Sequence, residues 1–145
     1  MANTQALANS FKNELLTGTH DLTTGTGDTI KAALYLATAT VNKSTTVYSA
    51  TGEVSGTGYT AGGATVTNGT SPALDGDVAH WTPSASLSWA SVTLTTAFDA
   101  VLLYNSSKTN KAIGVFTFGS TTVDGGNFTL NMPTNDGTTG LIRLS

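Results

Sequence analysis

The side chains able to do acid–base or nucleophilic chemistry are few: two His, nine Asp and Glu, and no Cys. Nucleophilic catalysis needs a base beside a hydroxyl or thiol, and a third group to orient that base. His20 stands in the loop dipeptide His20-Asp21 and reads as a surface imidazole. His80 stands between Ala79 and Trp81 on a predicted strand and reads as a strand residue bonded to a neighbour. Gly-x-Ser-x-Gly does not occur, so no Ser is presented on a nucleophile elbow. Two carboxylates could cleave a glycosidic bond. However, Asp28, Asp75, Asp124 and Asp136 each adjoin a Gly, where Asp commonly bonds its own backbone in a turn. Asp75-Gly76-Asp77 is the tightest pair, far short of the oxygens that Ca²⁺ wants, and reads as a solvated turn. Gly-Thr-Gly at residues 25–27 and 56–58 lacks the following helix of a phosphate-binding loop. The residues predict no catalytic, cofactor-binding or metal-ligating set.

Binding residues are easier to nominate. Trp81, Trp89 and Tyr59, if exposed in a row, would stack sugars; both Trp fall among apolar strand neighbours and read as core. Tyr59 lies in a stretch with Gly at 52, 56, 58, 62 and 63 and reads as an exposed aromatic able to fill a partner's pocket. The apolar positions near the two ends, Leu7, Phe11 and Leu15 on one side and Ile142 and Leu144 on the other, are the predicted anchors. With Tyr59 they form the predicted partner interface.

These residues need elements to carry them. Leu7, Phe11 and Leu15 recur at i, i+4 and i+8, which predicts an amphipathic helix over residues 4–16, with Asn3 or Thr4 as cap and Gly18 as stop. Ile30, Ala32, Leu34 and Leu36 share one face of a predicted strand by period 2, with Lys31 and Tyr35 on the other. Further strands are predicted at 64–68, 78–82, 87–94 (with a bulge near Ala90), 100–104, 112–118, 128–132 and 141–144. The apolar run Ala100–Tyr104 suits a central strand buried on both faces. Residues 105–110 and Asp124-Gly125-Gly126-Asn127 are predicted turns, and 133–140 a loop. Eight or nine strands with one helix predict an all-β chain. The expected fold is an antiparallel β-sandwich, jelly-roll or immunoglobulin-like, with one short N-terminal α-helix. Residues 1–145 read as a single domain, with 1–18 as a helical N-terminal arm.

Composition narrows the partners. Only 10% of residues are charged, against about 25% in ordinary domains, and the net charge is −3. Thr and Ser, 29 and 13 of 145, take the place of charge. Six scattered basic residues offer no patch to displace counterions, so nucleic acid is not an expected partner. No stretch approaches the length of a membrane span, and residues 1–14 lack the basic start and apolar core of a signal peptide. A charge-poor, hydroxyl-rich surface suits broad contact with protein, since charged residues are depleted from interface centres.

Several stretches resemble small tailed-phage virion proteins: residues 1–7, Asn9-Ser10-Phe11-Lys12, Glu14-Leu15-Leu16, residues 30–35, residues 51–59 and residues 95–105. The likeness runs over most of the chain. It implies a structural part of the particle, assembled in the host cytoplasm, and carries over no catalytic residue. The expected role is a capsid decoration or cement protein, a dimer or trimer bound in many copies to the major capsid protein. A tail or neck component and a module for host-surface glycans are the alternatives.

Overall fold

The computed structural model describes residues 2–145. Eight strands and one helix follow in the order β1 (Ala6–Leu7), α1 (Asn9–Leu16), β2 (Ile30–Leu36), β3 (Ala64–Thr65), β4 (Ala73–Asp75), β5 (Val78–Trp81), β6 (Leu87–Asn105), β7 (Lys111–Leu130) and β8 (Ile142–Leu144). They form a five-stranded sheet, β1-β7-β6-β2-β3, and a three-stranded sheet, β4-β5-β8, with every pairing antiparallel. The expected all-β, sandwich-like architecture is the one observed.

The sheet's centre follows from the apolar run. Ala100–Tyr104 lies between β2 and β7 and is buried throughout. Leu34 pairs with Val101 and Ala32 with Leu103, so the alternation read from sequence does place one apolar row on one face. On the other face, Tyr35 and Tyr104 lie beneath the segment 48–63, and Tyr48 stacks on Tyr104 at 4.7 Å between ring centroids.

The helix is shorter than its periodicity predicts. Residues 6–7 are extended and pair with Val115 and Gly114, and α1 starts only at Asn9. Gly114 makes room for this: a Cβ there would stand 3.1 Å from the Leu7 Cδ2. Asn3 is a tie, not a cap. Its amide donates to the Leu36 carbonyl (2.9 Å) and Asp99 Oδ1 (2.6 Å), and its Oδ1 accepts from the Val41 N–H.

The hairpin β6–β7 outgrows its sheet. β2 reaches along β6 only to Phe98, and β1 covers only Gly114 and Val115 of β7. Residues 87–97 and 118–130 therefore extend as a ribbon, which the glycine-rich segment joins where Thr93 pairs with Thr57 and donates its N–H to the Thr57 carbonyl. Such a ribbon is marginal alone; a cluster of Trp89, Phe98, Phe118 and Phe128, with centroids 4.9–5.9 Å apart, packs one of its faces. The bulge predicted near Ala90 is present, as a register shift between Trp89 and Val92 with Ser91 at φ 52°. Asp124-Gly125-Gly126-Asn127 is not the predicted turn. It lies inside β7 as a bulge, with Gly125 at φ +66° and its N–H donating to Thr93 Oγ1.

Candidate partner interface

Two polar clusters could have done chemistry, and each is closed on itself. In the first, His20 Nε2 stands 2.8 Å from Glu14 Oε2 and Lys111 Nζ donates to Glu14 Oε1 at 2.5 Å. The Asn105 amide donates to His20 Nδ1 (3.0 Å) and to Asp28 Oδ2 (2.7 Å), and Lys108 lies 3.5 Å from Asp28. The imidazole is enclosed, not the surface group that its loop position suggests. With Nδ1 accepting, Nε2–H donates to Glu14, and neither nitrogen is free to take a proton from a hydroxyl. Enclosure works to raise the Glu14 carboxyl, but hydrogen bonds from Lys111 and His20 outweigh it and hold the group below its ordinary range. Asp28 is likewise held low against enclosure, by the Asp21 N–H, the Asn105 amide and Lys108.

The second cluster gathers all four tyrosines of the chain around Glu53. Tyr48 and Tyr59 donate to its two oxygens at 2.6 and 2.8 Å, and the Gly62 N–H adds a bond of 2.8 Å. Tyr104 donates to the Gly62 carbonyl and Tyr35 to the Ser49 carbonyl. Burial pushes the Tyr35 phenol up to about 12. Burial and then the Glu53 charge also raise Tyr48 and Tyr104, and Tyr59 is raised by burial against its bond from the Leu34 N–H. Tyr59 therefore turns inward and locks the Gly-rich segment to β2, which corrects its reading as an exposed anchor.

The other sequence candidates separate into core and surface. Trp81 and Trp89 are buried as read, so with Tyr59 inward no exposed aromatic row forms among them. His80 bonds Asn135 as expected of a strand residue. Asp75 accepts from the Gly137 N–H beside a β4–β5 turn, and among the described residues no His, Cys, Asp and Glu cluster is placed to hold a metal ion. Phe11 and Ile142 are buried inside the chain's own core, so neither has a free face to offer a partner; this corrects their reading as anchors. Leu7 is half-buried against Gly114.

Four of the six predicted interface residues nevertheless meet. Phe11, Leu15, Ile142 and Leu144 line one apolar dent of about 90 Å³, together with Leu22, Pro72, Ala79, His80 and Trp81. The three-stranded sheet explains this. Leu74 pairs with Ala79 and Ala79 with Leu144; Trp81 pairs with Ile142 two residues along. All five side chains share one face. Phe11 and Leu22 border the inner end of that face around Trp81 and Ile142. Its outer end is bare: Leu74 is 73% exposed and Leu144 41%. Leu74 is the residue that sequence reasoning missed. It sits beside the Asp75-Gly76-Asp77 turn, in a strand too short to register as one. Leu16, 88% exposed, ends the helix that carries Leu15. A second apolar hollow, about 280 Å³, lies where Val101, Leu103 and Phe116 meet Leu130, Met132 and Leu141.

Comparison with protein-family models, with curated proteins and with solved structures gives no match for the chain.

Proposed function

We propose that this chain is a structural protein of a tailed-phage virion, a capsid decoration protein that binds the outer shell in many copies and stabilises the junctions between capsid subunits. The observation that carries the reading is the distribution of bonding capacity. Both polar clusters are spent inside the fold, while apolar side chains stand bare on one face where the two ends of the chain meet. Such a surface serves contact with protein. The ribbon adds a second contact surface, whose exposed positions include Ser88, Ser91, Thr95, Thr96, Ser120, Thr122, Asn127 and Thr129 with one charge, Asp124. The resemblance of residues 1–7, 30–35, 51–59 and 95–105 to small virion proteins supplies the setting.

Mechanistically the protein is a staple. Anything that binds only the assembled shell stabilises it by mass action, and many weak contacts on one particle add through avidity. The test is the number of copies per purified particle, where a decoration protein approaches the count of the major capsid protein.

A further inference from the structure

We infer that the outer edge of β7 from Phe118 to Val123 pairs with an extended segment of a neighbouring protein, and that one large apolar side chain of that segment fills the hollow beside Phe116 and Phe118. The inference deepens the structural reading above and rests on it only in taking the partner to be protein. The place beside β7 is already begun by the chain itself. Ala6 and Leu7 pair there with Val115 and Gly114, and the Ala8 N–H bonds the Ile113 carbonyl. Gln5 adds one contact through its side chain, whose Oε1 accepts from the Thr117 N–H at 3.3 Å. The chain then leaves: the Thr4 N–H goes to the Val41 carbonyl and the Asn3 amide to the Leu36 carbonyl. Beyond Thr117, no other strand or loop among the described residues pairs with that side of β7. Phe118–Val123 is therefore a free edge, ended by the bulge at Asp124-Gly125. It has the length of an ordinary strand, about 5–6 residues.

Natural sheet edges are guarded by Lys, Pro or charge. This one reads Phe-Gly-Ser-Thr-Thr-Val over residues 118–123 and carries none of them. Its bare backbone donors and acceptors are a template for one more strand, which is where strand addition takes its affinity. Ile113 and Thr117 bond outward, so alternation turns the Gly119 N–H and carbonyl outward as well. The hollow supplies the specificity. Residues opposite one another on paired strands share a sheet face. Ala6 lies opposite Val115, which places Gln5 opposite Phe116, and both line the hollow of about 280 Å³. An added residue opposite Phe118, two places along, faces the same way. The walls there are Phe116, Phe118, Leu130, Met132 and Leu141 over buried Val101 and Leu103, with no charged residue among them. An enclosed apolar cavity of about 150 Å³ takes a benzene, so this hollow seats a Leu, Met or Phe side chain. Neither edge nor hollow offers a charge to pair with another. The partner's segment is accordingly extended, uncharged, about 5–6 residues long, and carries one such apolar residue in register with Phe118.

Selection of a random nonapeptide library against the immobilised full chain tests this. The enriched peptides are expected to share one large apolar residue among uncharged, β-branched neighbours. Titrated into the isotope-labelled chain, the best of them should shift the amide resonances of Phe118–Val123. Gly119→Pro removes an outward donor and is expected to weaken binding by about tenfold or more. Gly119→Ser keeps the donor and should bind like the parent, since nothing lies within 4 Å of a Cβ there. Met132→Asp places a carboxylate in the hollow and should also weaken binding by about tenfold or more. Leu74→Asp, on the other bare surface, should change nothing. Thermal melts of each variant confirm that folded chains are compared. A library that yields no peptide above background overturns the inference. So do peptides that bind both Gly119→Pro and Met132→Asp as tightly as the parent, or that lose affinity in Leu74→Asp instead. None of these results changes the copy number per particle, so the two readings fail separately.

Discussion

Glu53 is the residue on which the interior is organised. It takes two phenol donors and one backbone N–H while nearly buried, and bonds to a charged acceptor contribute about 1.5–3 kcal/mol each. Tyr59→Phe removes a donor from Glu53 and strands the Leu34 N–H, which Tyr59 Oη accepts at 3.0 Å. We expect a loss of about 2 kcal/mol in denaturant unfolding, where an exposed tyrosine would give almost none. The tyrosines also set an alkaline limit. A phenol whose pKa is raised in the folded state holds its proton there more tightly than in the unfolded chain. Its stabilisation is complete below pH 10 and declines as pH climbs from 10 toward the folded value, about 12 for Tyr35. Unfolding free energy should therefore be level up to pH 10 and fall above it, with tyrosinate absorbance rising together with unfolding. Glu14 and Asp28 act in the opposite sense. Their lowered values contribute stability that is present above pH 4.5 and 3.8, respectively, and lost below. Lys111→Met should accordingly move acid unfolding to higher pH.

At the scale of elements, the glycine-rich segment is held by close backbone approach. A Cβ on Gly63 would lie 1.8 Å from the Ala32 carbonyl oxygen, at φ +71°, and one on Gly56 would lie 2.0 Å from that of Thr93. Either Gly→Ala change must displace the segment and is expected to cost more than about 2 kcal/mol. Gly119→Ala, with nothing within 4 Å, should stay within about 0.5 kcal/mol. Circular dichroism melts of the three variants separate a packed segment from a mobile one. What was legible in the sequence had a strong period. Ile30–Leu36, Val78–Trp81 and the run through Ala100–Tyr104 follow from alternation and continuous apolarity. What was not legible depends on distant partners. Leu7 has helical spacing but is drawn into a strand because Gly114 leaves a place for it. Asp124-Gly125 has turn chemistry but is spent on a bulge, because β6 supplies a partner on both sides of it. His20 looks exposed in its loop, and only the fold brings Glu14, Asn105 and Lys111 around it. The bare apolar face was half legible: Leu144 and Leu15 stand out in the sequence, while Leu74 lies hidden in a three-residue strand.

At the scale of the whole molecule, the N-terminal segment is part of the fold and not a detachable arm. Asn3 ties β2 to β6, Ala8 donates to the Ile113 carbonyl, and Phe11 is fully buried. Deleting residues 2–16 should unfold the chain, so loss of shell binding in that deletion would report folding. Point changes on the bare face answer the question instead. The central claim is that this protein covers a phage shell, and its most direct test is the copy number on purified particles, by gel densitometry against the major capsid protein. A ratio of one to one, or one to a few, is the predicted result. About a dozen copies or fewer, as a closed ring at a tail or neck would hold, or absence from the particle, would contradict it.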